Sequence, residues 1–187
     1  LLLAQRQLKD DITVLEQQIK TAIDFVFTIG QLSHSNEYRI TAKERKTDWW
    51  QQLASQLERI QGMVMTIHNR LSHMRNRIDM FEDLDLLAKE LVFNQNWYAE
   101  QHKFLETFLA EKRKHDIYWL EYSRSTWGSN LCLSVAPIDV MPLLKERLFT
   151  AKQSVILTSA TLAVANQLKY TAQLYLLDDD EYLSYIT

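Results

Sequence analysis

The sequence predicts a mainly α, α+β protein: an elongated antiparallel helical bundle, residues 1–115, joined to a partial α/β unit, residues 116–187. Three observations predict it. Residues 1–115 contain no proline and repeat apolar residues at alternating spacings of three and four, the pattern of amphipathic helices. After His115 the pattern changes to short runs rich in aromatic and β-branched residues, punctuated by Gly128, Pro137 and Pro142, as strands and turns require. The run Ser154 to Leu162 reads Ser-Val-Ile-Leu-Thr-Ser-Ala-Thr-Leu. Its apolar half predicts a buried, parallel strand, and its small-residue half predicts a loop at that strand's carboxyl end, where open α/β sheets place ligands.

The first helix is predicted over residues 1–29. Leu1, Leu8, Ile12, Leu15, Ile19, Ala22 and Val26 form its seam, and Gly30 is placed to end it. Residues 31–47 are a polar connector, long for a helix–helix link, that either holds a short helix or crosses the end of the bundle. Asp48 is expected to cap the next helix, with Gln51 returning the bond. The seam there is regular: Trp50, Leu53, Leu57, Ile60, Val64, Ile67, Leu71, Met74 and Ile78. Gly62 falls off it. A second start signal, Asp79 with Glu82, predicts a break. An unbroken helix to residue 113 would be about 100 Å long, more than a small bundle covers. Leu84, Leu87, Leu91, Tyr98, Leu105 and Phe108 continue the apolar stripe in a third helix, and Lys112, Arg113 and Lys114 suit its carboxyl end.

Beyond the bundle, Ile117–Tyr122 and Leu131–Val135 are predicted strands, with Ser123–Asn130 as the loop between them. In the second strand Leu131, Leu133 and Val135 alternate with Cys132 and Ser134. Asp139 is expected to cap a helix reaching about Lys152, with Pro142 tolerated in its first turn. A further helix is expected within Leu162–Leu177, followed by the acidic break Asp178–Glu181.

Composition narrows the function classes. The chain has 187 residues and one cysteine, Cys132, so it holds neither a disulfide framework nor a cysteine metal site. A reducing, cytoplasmic setting is the expectation. The opening Leu1-Leu2-Leu3-Ala4 lacks the basic region and length of a signal peptide, and no apolar run approaches a membrane span. The chain starts without Met and stops in an apparent α/β unit, which reads as a piece of a larger protein. Basic and acidic side chains balance in residues 1–115, so any nucleic-acid footprint must be a local patch.

Two such patches stand out. From Arg59 to Ile78 there are Arg59, Arg70, Arg75, Arg77, His68 and His73 and no acid. Lys43, Arg45 and Lys46 form the second. Such faces can follow a phosphate backbone, and they equally describe a solvated bundle surface. His68 and His73 are five apart, one more than places two ligands on one helix face, so no metal site is expected. Trp49 and Trp50 are expected to close the end of the bundle, and Cys132 to pack within its strand.

The run Thr158-Ser159-Ala160-Thr161-Leu162 resembles the T-S-A-T-L segment of DinG/XPD-like DNA helicases of superfamily 2. Tyr118-Trp119-Leu120-Glu121, Ala136-Pro137-Ile138-Asp139-Val140 and Leu144-Lys145-Glu146-Arg147-Leu148-Phe149 follow that family's order and spacing. The resemblance covers Tyr118–Leu162 and fades after Ala163. For residues 1–115 it is architectural: the family inserts a helical arch ahead of this segment. The resemblance implies that Thr158, Ser159, Ala160 and Thr161 couple an ATP site to the strand-binding surface. It also implies that Arg70, Arg75, Arg77, Lys43, Arg45 and Lys46 contact single-stranded DNA and that the parent uses ATP and Mg²⁺, moving 5′ to 3′. The partners implied are single-stranded DNA and the rest of the motor, with the fragment monomeric and no membrane. No phosphate loop of the G-x-x-x-x-G-K-S/T type and no D-E-x-H box occur here, so no catalytic residue is expected in the segment. An iron–sulfur cluster, held by some relatives, is left open. Taken alone, Thr158–Thr161 is also a Ser/Thr turn after a buried strand, and the rival class is a helical interaction module without a nucleic-acid role.

Overall fold

The structure, a computed structural model, describes residues 2–30, 36–78, 84–110, 115–125, 128–158 and 169–175. The predicted start signal Asp79/Glu82, the cations Lys112, Arg113 and Lys114, the run Ser159–Leu162 and the stretch Asp178–Glu181 lie outside these residues. The chain divides into two compact units, residues 1–136 and residues 137–187.

Three long helices dominate the first unit: α1 (Leu2–Gly30), α2 (Asp48–Ile78) and α3 (Asp85–Ala110). At 1.5 Å per residue they run about 43, 46 and 39 Å. The separation of α2 from α3 after Ile78 agrees with the predicted break. The helices pack antiparallel. Arg70 of α2 reaches Asp11 near the start of α1, while Trp50, at the start of α2, lies 6.0 Å from the ring of Phe108 at the end of α3. The α2 seam is the core: Trp50, Leu53, Leu57, Ile60, Val64, Ile67, Leu71 and Ile78 are buried, as predicted, and Met74 packs against them partly buried. From α1, Leu15, Ala22 and Val26 are buried, and from α3, Leu91, Leu105 and Phe108. The predicted seam members Ile19 and Leu87 are instead about two-fifths exposed.

In the connector, residues 31–47, a short helical turn is present as one alternative had it, and a strand that was not expected lies before it. The strand is β1 (Glu37–Arg39), and the turn is a single 3-10 turn, Glu44–Lys46. β1 pairs antiparallel with β2 (Asp116–Ser125), Tyr38 opposite Leu120. The pairing extends through the Ile40 N–H to the Tyr118 carbonyl at 2.8 Å and the Tyr122 N–H to the Asn36 carbonyl at 3.0 Å. β3 (Gly128–Pro137) completes a three-stranded sheet in the order β1-β2-β3. Both later strands are longer than predicted, so much of the expected loop Ser123–Asn130 is strand. Gly128 has φ +140°, open to glycine and strained for other residues. Alternation then does what the sequence implies. Tyr118, Leu120 and Tyr122 are buried against the helices, with Leu131, Leu133 and Val135 packed beside them. Trp119 faces away and donates its indole N–H to Glu121 at 2.6 Å.

The start of α2 is capped one residue earlier than expected. Thr47 is extended (φ −80°, ψ 152°), its carbonyl accepts the Gln51 N–H at 3.1 Å, and its hydroxyl donates to the Glu44 carbonyl at 2.5 Å. The Gln51 side chain reaches back to the Arg45 carbonyl at 2.8 Å. Asp48 therefore sits in the first turn, where a negative charge faces the helix dipole.

In the second unit, Asp139 does cap: its Oδ1 accepts the Met141 N–H at 2.9 Å. Helix α4 (Met141–Leu144), with Pro142 in its first turn, runs into a π-helical turn, Lys145–Phe149, where the Thr150 N–H reaches the Lys145 carbonyl at 2.9 Å. It stops short of Lys152. Helix α5 (Lys169–Leu174) follows, and Tyr175 meets Phe149 edge-on at 5.7 Å. The predicted buried strand at Ser154–Thr158 is not formed. The segment pairs with no described strand, and Ile156 is 86% exposed. A parallel strand is stable only with neighbours that bond its backbone and cover both faces, and the described residues supply none. The described sheet is instead antiparallel and belongs to the unit that contains the long helices.

Candidate nucleic-acid interface

The six cations singled out from the sequence do not form one patch. Lys43, Arg45 and Lys46 precede α2, whereas Arg70 lies about 33 Å along it. Lys43 and Lys46 are exposed. Arg45 is not offered to solvent in the same way. Its Nη1 donates to the Leu109 carbonyl at 2.9 Å and its Nη2 to the Phe108 carbonyl at 2.8 Å. Carbonyls in the last turn of a helix have no partner within it, and a cation there also answers the dipole. The guanidinium lies 4.8 Å from the Trp50 ring and 5.0 Å from the Tyr118 ring. Trp49, packed edge-on to Tyr38 at 5.2 Å and to Trp50 at 6.0 Å, completes this end. The tryptophans close the bundle, as expected, and Arg45 ties the connector, α3 and the sheet together around them.

The 3-10 turn beside Arg45 is held by the Thr41 hydroxyl, which donates to the Glu44 carboxylate. That bond holds the carboxyl of Glu44 below the usual carboxylate range.

At the other end of α2, Arg70 is half-buried. Its Nε donates to Asp11 Oδ2 at 2.5 Å and its Nη1 to Gln7 Oε1 at 2.8 Å. Arg77 and His73 are exposed, and Arg75 is half-buried on a neighbouring strip of the helix. Between α1 and α2, Arg70, His73 and Arg77, but not Arg75, border a groove of about 460 Å³ lined also by Gln7, Asn69 and Met74, among others. Gln7 and Asn69 were not singled out from the sequence, and Met74 was expected only as a member of the apolar seam. Asn69, Arg70, His73 and Arg77 do recur at helical spacing beside the apolar seam. Which α1 residues face them is set by helix packing, which spacing alone does not specify. His68 points elsewhere, its Nδ1 3.0 Å from the Gln95 carbonyl of α3.

Thr158 is exposed, in no helix or strand, and Ser159, Ala160 and Thr161 lie outside the described residues. Cys132 corrects the packing expectation: it is exposed on β3, with Sγ 3.7 Å from the Ser134 hydroxyl. Among the described residues no group of three or more His, Cys, Asp or Glu could hold a metal ion, and no described helix is long and apolar enough to cross a membrane. Together these features define a mainly helical α+β protein with cations at both ends of its central helix. No protein-family model matches the chain, and no curated protein is significantly similar to it.

Proposed function

We propose that this chain is the helical arch insertion and an adjoining part of the first motor domain of a DinG/XPD-like, ATP-dependent DNA helicase. The observation that carries the proposal is the ordered run from Tyr118-Trp119-Leu120-Glu121 through Ala136–Val140 to Thr158–Leu162. A second observation supports it. Val155–Leu157 is apolar, lies in no helix or strand and leaves Ile156 86% exposed; such a segment calls for cover, and a motor-domain sheet would provide it.

On this reading residues 1–115 are the arch and residues 116–187 belong to the motor. Thr158, Ser159, Ala160 and Thr161 couple nucleotide hydrolysis to movement of single-stranded DNA. Arg70, Arg75, Arg77, Lys43 and Lys46 contribute charge to the strand path, and Arg45 organises the fold beside it. ATP and Mg²⁺ bind residues elsewhere in the parent, which acts in the cytoplasm, and the segment itself is monomeric. The test is to read the gene upstream of Leu1 and express the parent. A phosphate loop and a D-E-x-H box, with ATPase activity stimulated by single-stranded DNA and uncoupled by Ser159→Ala with Thr161→Ala, support the reading. Absence of both motifs overturns it.

A second reading has its own observation. Leu86, Phe93 and Trp97 share one face of α3 and remain 73%, 72% and 48% exposed. Such a stripe suits a protein-interaction module. A concentration-dependent dimer in sedimentation, abolished by Phe93→Glu, favours that reading over a monomeric arch.

A further inference from the structure

We infer that the groove between the amino-terminal half of α1 and the carboxyl-terminal half of α2 is a phosphate-binding site that seats one nucleotide of a single DNA strand. The identity of the strand rests on the helicase reading; the site itself rests on geometry.

The polar lining is rich in donors. The Gln7 amide oxygen accepts from Arg70, which leaves its NH₂ as a donor. Asn69, His73 and Arg77 lie on the same face of α2 at helical spacing and line the same groove. Among the described residues no carboxylate lines it. Asp11, one turn from Gln7 along α1, is held by Arg70 Nε at 2.5 Å. That pair holds the Arg70 guanidinium in place, so its position does not have to be ordered when a ligand arrives. Arg77 adds an exposed charge, and a guanidinium matches phosphate with two parallel donors. Met74 and Leu3 give the groove apolar borders on which a sugar or base can rest. A volume of about 460 Å³ lies within the roughly 300–1,000 Å³ of small-ligand sites.

The experiment measures binding of a fluorescein-labelled oligo-dT of about 15 nucleotides to the chain across a salt series. Alongside it, His73 ring resonances are followed by NMR during additions of thymidine monophosphate or inorganic phosphate. Arg77→Glu with His73→Glu, both exposed positions, is expected to weaken oligo-dT binding about tenfold or more and to flatten its salt dependence. Lys20→Glu with Lys103→Glu, exposed positions outside the groove's lining, is expected to leave binding within about twofold. Thymidine monophosphate is expected to shift His73 more strongly than inorganic phosphate. Oligo-dT binding unchanged in the Arg77/His73 variant overturns the groove and leaves the helicase reading standing. Equal shifts from both small ligands overturn the nucleotide seat and leave a plain anion site. If the chain does not bind oligo-dT, a His73 shift with thymidine monophosphate keeps the groove and counts against strand guiding; no shift overturns both.

Discussion

At the amino end of α2, the guanidinium of Arg45 bonds two carbonyls of α3 and stacks between Trp50 and Tyr118. At the carboxyl end, Arg70 bonds two side chains of α1, and Arg77 borders an open groove. The two ends carry the same residue type within similar runs of basic sequence. What differs is the surroundings. Aromatic rings and a helix terminus hold the charge at one end; at the other a carboxylate holds Arg70 while Arg77 faces solvent. Charge in a sequence marks where a cation is, and packing decides whether it is structural or free to meet a ligand.

The closed end predicts the largest effects. Phe108 is fully buried and meets Trp50, Phe104 and Tyr118. Phe108→Ala should cost about 3–5 kcal/mol in urea unfolding. Arg45→Lys should cost about 1.5–3 kcal/mol, because an ammonium cannot span both carbonyls and also stack on the rings. Lys46→Ala, one residue on and exposed, should stay within about 0.5 kcal/mol. Equal losses for Arg45→Lys and Lys46→Ala would break the contrast. Arg70→Ala should fall between, at up to about 1 kcal/mol, since about a quarter of each side chain in its pair with Asp11 still faces water.

How much of this the sequence carried follows from which forces are local. The α2 seam was legible because helix period and burial agree residue by residue from Trp50 to Ile78. β1 went unread, although Tyr38 and Ile40 alternate with Glu37 and Arg39, because three residues are too short to stand out without the partner strand 80 residues away. The role of Arg45 was hidden for the same reason: its acceptors are more than 60 residues further along the chain. Val155–Leu157 shows the converse. Its apolar character states that the segment needs cover, and says nothing about which strands provide it. In the candidate site, the cations were legible and their sorting was not. Gln7 and Asn69 carry no signal until α1 lies against α2.

The middle of α2 offers a smaller test. Gly62 is exposed, and a Cβ placed there meets nothing within 4 Å. Gly62→Ala should therefore raise stability by about 0.4–1 kcal/mol, chiefly by restricting the unfolded chain. A loss in urea unfolding would show that glycine at this position answers a contact outside the described structure.

The smallest effect separates the connector from the bundle end it supports. The Thr41 hydroxyl donates to the Glu44 carboxylate and lowers its pKa. A lowered folded-state pKa contributes stability above the ordinary carboxylate range, and that stability is lost as pH falls through the folded value. Thr41→Val removes the donor, so an NMR titration of the Glu44 carboxyl carbon should move its midpoint upward toward the ordinary range. Arg45 should remain seated on the α3 carbonyls, because its bonds do not pass through Glu44. If Thr41→Val also exposes Trp50 in fluorescence, the connector turn and the aromatic cluster form one cooperative unit, and the closed end extends back to residue 41.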